Sequence, residues 1–175
     1  MKMVMGDTLL IQATRAGELG SVKGLLDKNA DVNGASDNGW TALMWACNMY
    51  GQTHYEVYQR IARLLVEKGA DLKVRDKNGK TPLIVATQVA DLPTTNLLLD
   101  RGADASVKEK SGYTPLLYTL TERWKDADAA AVVPRLVKAG ANVSEQSPTK
   151  QTPIQLAQSL HMTKTLASLR AAGAR

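Results

Sequence analysis

The chain has no phenylalanine, a single cysteine (Cys47), two histidines (His54 and His161) and no apolar run near the ~18 residues of a membrane-spanning helix. One cysteine excludes an internal disulfide framework and leaves the redox compartment open. Cys47 follows Ala46 with no histidine close in sequence, so it reads as a packed thiol and not as a nucleophile. Neither histidine pairs with a cysteine or carboxylate at metal-ligand spacing. No Walker-type or GxGxxG phosphate loop occurs, and no two carboxylates stand out as an acid/base couple. The expectation is therefore no catalytic residue, no cofactor, no metal and no small-molecule substrate. Met1-Lys2-Met3-Val4-Met5 is too short for a signal peptide. A cytoplasmic location is expected, with a periplasmic or exported one as the alternative if a leader has been removed. Without phenylalanine, and with leucine and alanine dominant, the core suits slim, closely stacked helices.

What the chain does contain is a repeat. Thr81-Pro82-Leu83-Ile84-Val85-Ala86 has near-copies beginning at Thr8, Thr41, Thr114 and Thr152, separated by 33 (8 to 41), 40 (41 to 81), 33 (81 to 114) and 38 (114 to 152) residues. Gly69-Ala70-Asp71, Gly102-Ala103-Asp104 and Gly140-Ala141-Asn142 recur in phase with it, with degenerate copies at Asn29-Ala30-Asp31 and Gly173-Ala174. Each threonine can cap a helix, and proline at the first helical position loses no hydrogen bond. Leucine at the third motif position and alanine at the sixth share a helix face. A second helix follows, ending in a pair such as Leu64-Leu65 or Leu98-Leu99, and the next glycine supplies the positive φ that stops it. Turns such as Asp76-Lys77-Asn78-Gly79 link the units, and Asp31, Asp71 and Asp104 are expected to brace them.

This pattern resembles the ankyrin-repeat family over residues 8 to about 174. The resemblance implies an all-α ankyrin-repeat solenoid, one domain over 1–175, with five stacked helix-turn-helix units joined by β-turn fingers. The units fall at approximately 8–33, 34–73, 74–106, 107–144 and 145–174, giving ten helices. The fourth motif position, usually histidine in that family, is here Ile11, Met44, Ile84, Leu117 and Gln155. Extra residues lie between the helices of the second unit (about 48–54) and of the fourth (about 121–127). Thr53-His54-Tyr55-Glu56 has capping-box spacing for a second helix. Asp91 is expected to cap another, and Pro134 to kink or shorten the first turns of the fourth unit's second helix.

Such solenoids bind through the face formed by their turn tips and first helices. The resemblance places partner contacts at Asp37, Asn38, Trp40, Lys77, Lys80, Lys110 and Tyr113, residues at or beside the turns and free of obvious fold duties. Trp40 and Tyr113 are the residue types enriched in interface hot spots, although each could instead fold onto a neighbouring turn. Trp45, Tyr118 and Met44 on the first helices can pack between repeats or face a partner. Trp124, between Arg123 and Lys125, and the tyrosines Tyr50, Tyr55 and Tyr58 mark the insertions as a second candidate edge, opposite the turn tips.

The net charge of +5 is a weak pointer to an acidic partner. The lysines and arginine of the middle turns (Lys73, Arg75, Lys77, Lys80, Lys108, Lys110) form a mild basic stripe that reads first as a solvated face; if functional, it suits an acidic protein patch more than a nucleic acid. The expected function is non-catalytic binding of a folded protein by a chain that is a monomer on its own. A stand-alone inhibitor or immunity-type protein blocking a bacterial envelope hydrolase is the alternative, and nucleic-acid binding through the basic stripe ranks behind it.

Overall fold

A threonine ahead of an apolar run can close a helix start with its hydroxyl, and in this chain all five do so. In the computed structural model, which describes residues 7–48 and 55–174, Thr8, Thr41, Thr81, Thr114 and Thr152 each accept at Oγ1 the N–H three residues on, at 3.2–3.4 Å. Each bond satisfies one otherwise orphaned donor and contributes about 1 kcal/mol. The described residues form ten helices: α1 (Leu9–Arg15), α2 (Leu19–Asp27), α3 (Ala42–Cys47), α4 (Tyr55–Glu67), α5 (Pro82–Gln88), α6 (Leu92–Asp100), α7 (Pro115–Thr119), α8 (Asp126–Lys138), α9 (Pro153–Ser159) and α10 (Thr163–Ala171). The threonines start the odd-numbered ones. Asp91 caps α6 as expected, its Oδ1 accepting the Thr94 N–H at 3.1 Å.

Each odd helix packs on the even helix that follows it. The odd helices α1 to α7 stack in one row and the even helices α2 to α10 in another, so the chain is an all-α solenoid of five helix pairs. Leu43, Leu83 and Leu116 and the small residues Ala46, Ala86 and Thr119 are buried where the rows meet, and the small side chains let neighbouring helices close up. Gly69, Gly102, Gly140 and Gly173 take positive φ after the second helices, with Asn29 doing the same in the first unit. Asp31, Asp71, Asp104 and Asn142 each accept the N–H two residues on at 2.8–2.9 Å, bracing the links as expected. No helix of the described residues is long and apolar enough to cross a membrane.

The fingers close through Ser36 N–H to Trp40 O, Asp76 N–H to Lys80 O, Glu109 N–H to Tyr113 O and Ser147 N–H to Gln151 O, at 2.9–3.0 Å. Neighbouring fingers are joined by Lys77 N–H to Asn38 O (3.0 Å) and Lys110 N–H to Asn78 O (2.8 Å). That proximity demands Gly39: its φ is +84°, and a Cβ there would lie 3.0 Å from Asp76 Cα. In the fifth finger Lys150 holds the equivalent conformation at φ 64°.

Two expectations need correcting. Pro134 does not shorten α8, which runs unbroken from Asp126 to Lys138. Proline removes the N–H that the Ala130 carbonyl would accept, and Ser168 Oγ of α10 donates to that carbonyl instead, at 2.9 Å. Trp124 was expected to be displayed by its insertion, yet it is 5% exposed and its Nε1–H donates to Thr87 O at 2.8 Å. An indole buries a large apolar area once its N–H is satisfied, so the insertion folds inward. Further along, Asp126 accepts the Lys164 and Thr165 N–H groups at 2.9 and 2.8 Å, which anchors the start of α10. Burial alone would raise its carboxyl, but these bonds outweigh that and hold it below the usual aspartate range. Tyr50, Thr53, His54 and the capping box proposed for α4 lie outside the described residues.

Ser168→Ala is expected to cost about 1 kcal/mol in chemical denaturation, and much less in a Pro134→Ala background where the ladder donor returns. Lys150→Gly is expected to raise stability by up to about 1 kcal/mol, read as a higher denaturation midpoint, because glycine removes the left-handed penalty.

Candidate functional site

In units 1 to 4 the residue before the threonine lies beside the first helix of the same unit. Positions four and seven after the threonine share one face of that helix. In units 1 to 4 the two sets meet. Asp7 Oδ2 pairs with Arg15 Nη1 at 2.6 Å, and the Trp40 and Trp45 rings lie tilted at a centroid distance of 4.8 Å. Lys80 Nζ donates to Gln88 Oε1 at 2.7 Å, and Tyr113 stacks on Tyr118 at 5.0 Å. Five of the sequence-derived candidates, Trp40, Trp45, Lys80, Tyr113 and Tyr118, therefore belong to one face, and each is half-buried.

Contacts between units make that face continuous. The Arg15 guanidinium lies 4.5 Å from the centre of the Trp45 ring, a cation–π distance. Trp40 Nε1–H donates to Asp76 Oδ2 at 2.9 Å. Asp76, 6% exposed, also accepts the Asn78 and Lys80 N–H groups at Oδ1, both at 2.8 Å. Tyr118 donates its hydroxyl to Glu109 Oε1 at 2.8 Å, and Lys80 Nζ stands 4.0 Å from Glu109 Oε2. Burial pushes the Tyr118 phenol well above the usual tyrosine range and the Glu109 carboxylate adds to it, so the hydroxyl remains a donor at any ordinary pH.

Trp40 is thus not free of fold duties. It folds onto both its own first helix and the next finger. Asp37, Asn38, Lys77 and Lys110 are exposed at or beside the finger tips. Trp124 is absent from this surface because it is buried in the core.

Between these side chains opens a cleft of about 510 Å³, walled by Trp40, Lys80, Gln88 and Tyr118 and bounded by Thr121 and Arg123. The start of the second insertion therefore borders the finger and first-helix face, and does not form the separate opposite edge expected from its position between helices. Of the tyrosines proposed for the other insertion, Tyr58 donates its hydroxyl to Arg15 O at 3.3 Å and braces the first unit. Arg15 and Gln88 were not picked out by sequence, and Thr121 and Arg123 only as part of the insertion at 121–127. A legible signal existed for three of them: Arg15, Gln88 and Thr121 stand seven residues after Thr8, Thr81 and Thr114.

The remaining chemistry-bearing residues lie apart from the cleft. Cys47 is buried, and its thiol is pushed well up by that burial and by the Asp91 carboxylate, as befits a packed side chain. His161 is exposed at positive φ. No group of three or more histidine, cysteine or acidic side chains among the described residues could hold a metal.

Comparison with known proteins gives a consistent picture. A model of ankyrin repeats in three copies matches residues 2–76 and 53–147. The chain is 40% identical over 85 residues to the 2-5A-dependent ribonuclease of Mus musculus, covering 48% of the chain and 11% of that protein. It is 37% identical over 100 residues to the ankyrin repeat and SAM domain-containing protein 6 of Rattus norvegicus, covering 55% of the chain and 10% of the relative. The fibronectin type 3 and ankyrin repeat domains 1 protein of Mus musculus is 47% identical over 49 residues, 28% of the chain and 12% of the relative. The chain thus spans only about a tenth of the length of these relatives.

Trp40→Phe keeps an aromatic ring beside Trp45 but deletes the donor to the buried Asp76 carboxylate. It is expected to lower stability by about 1–2 kcal/mol in urea denaturation. An unchanged midpoint would contradict the pairing.

Proposed function

The chain belongs to the ankyrin-repeat family, and from that premise we propose that it is a non-catalytic module that binds a folded protein through its finger and first-helix face. Proteins of this family generally mediate protein–protein interaction. The observation that carries the reading is the half-buried Trp40 and Tyr118, set with Lys80 around one open cleft, with Trp45 packed behind Trp40. Such aromatic anchors beside a desolvated pocket are where binding energy concentrates. Their neighbours already fix them: Trp45 lies between Arg15 and Trp40, and Tyr118 between Tyr113 and Glu109. A side chain ordered before docking loses little further entropy, so the face acts as a preorganised groove. Asp37, Asn38, Lys77 and Lys110 at the tips form the polar rim of such an interface, and Tyr113 backs its aromatic centre.

An inhibitory role is the same contact made over a partner enzyme's active site. A hydrolase among the captured partners would assign it.

The test is affinity capture and titration with the immobilised parent, Trp45→Ala, Tyr118→Ala and, as a control on α4, Arg63→Ala, each first checked for native helicity. Both aromatic variants are expected to weaken the captured partner by about 1–3 kcal/mol while Arg63→Ala binds like the parent. A partner retained by both aromatic variants and lost by Arg63→Ala would reverse the assignment of the face.

A further inference from the structure

Charges on the fingers of units 3 and 4 are sorted by depth. A groove of about 600 Å³ between them is lined by four cations, Arg75, Lys77, Lys108 and Lys110, against two carboxylates, Asp76 and Glu109. The carboxylates form its floor, 6% and 5% exposed. Their oxygens are engaged from within: Asp76 by the Asn78 and Lys80 N–H groups and the Trp40 indole, Glu109 by the Ser111 and Tyr118 hydroxyls. Of the cations, Lys108 is paired with Glu145, and Arg75 acts on Asp104. Lys77 and Lys110 are exposed and have no side-chain partner among the described residues. Arg123, on the rim of the neighbouring cleft beside Lys80, is in the same condition. A cation arriving in this groove meets only buried carboxylates that are already engaged from within, while a carboxylate finds Lys77 and Lys110 there and Arg123 beyond, all unpaired.

We propose that the partner docks an acidic segment, rich in aspartate or glutamate, across the third and fourth fingers toward Arg123, with Lys77, Lys110 and Arg123 as its anchors. The inference rests on the finger and first-helix face being the binding surface, and adds the chemistry of what it receives. The segment lies on units 3 and 4 and not on unit 2, because the second finger carries Asp37 where the third carries Lys77 and the fourth Lys110. Complementary charge of this kind speeds encounter and fixes register more than it adds affinity, so salt should slow association.

The same geometry argues against nucleic acid. Single-strand binders offer open aromatic faces for base stacking. Here the Trp40 ring packs on Trp45 and the Tyr118 ring on Tyr113. Three unpaired cations also fall short of the roughly 6–10 phosphate contacts that give strong electrostatic binding.

The test is selection from a random peptide-display library on the parent and on the triple variant Lys77→Glu, Lys110→Glu, Arg123→Glu. A glutamine triple at the same positions serves as a milder version should the reversals unfold the chain, and thermal melting checks both. Peptides enriched on the parent should be several-fold richer in aspartate and glutamate than the library. The strongest should bind the reversed variant at least tenfold more weakly and lose affinity with added salt. A selection without acidic enrichment overturns the proposal, as do identical peptides emerging from both baits. A single-stranded oligonucleotide that binds the parent more tightly than any selected acidic peptide, and is lost in the reversed variant, overturns it in favour of nucleic acid. Neutral peptides lost on Trp45→Ala but kept by the charge variant would overturn it while leaving the binding face itself in place.

Discussion

Four polar side chains buried at the base of the fingers, Ser36, Asp76, Glu109 and Ser147, hold the array in shape. Each stands five residues before a repeat threonine. A finger is a tight turn whose backbone groups would be orphaned against the next repeat, and a buried polar group without a partner costs about 1–3 kcal/mol. These residues answer that demand locally. Ser36 donates to the Trp40 carbonyl, Asp76 accepts two N–H groups of its own turn, and Ser147 accepts the Gln151 N–H. Glu109 takes the Ser111 hydroxyl of its own turn and also reaches outward to the Tyr118 hydroxyl of the first helix. Once each finger is closed, backbone bonds such as Lys77 N–H to Asn38 O fix the spacing of the next.

The candidate surface depends on that closure. Because Asp76 is held rigidly, its second oxygen can capture the Trp40 indole, which sets Trp40 against Trp45 and Trp45 against Arg15. Because Glu109 is held, Tyr118 is locked as a donor and stacked on Tyr113. Trp40 and Lys80, which wall the cleft, are therefore also ties between neighbouring repeats. Binding at this proposed face and folding would draw on the same contacts, so substitutions here carry a stability cost that surface substitutions elsewhere would not.

The scaffold was legible in the sequence because its signals are local. A threonine cap, a first-turn proline and a stop glycine act within a few residues, and all recur in phase. The surface was legible only in outline. Trp40 reads as a free tip until its partner is known, and that partner, Asp76, lies 36 residues away. Trp124 was misplaced for the same reason: its burial depends on a carbonyl at Thr87, in the previous repeat. The tolerance of α8 for Pro134 rests on Ser168, a hydroxyl contributed by the following unit. Each miss is a contact of about one repeat length. The period itself could have suggested where to look, but not which side chain would bend toward its neighbour.

Amide hydrogen exchange on the protein with and without its captured partner is the most direct test of the claim that one preorganised face does the binding. Slowed exchange is expected in the second, third and fourth fingers and in α3, α5 and α7, with Asn78 and Lys80 amides already well protected in the free protein. Protection confined to α4, α6 and α8, or finger amides that exchange freely until the partner binds, would contradict it.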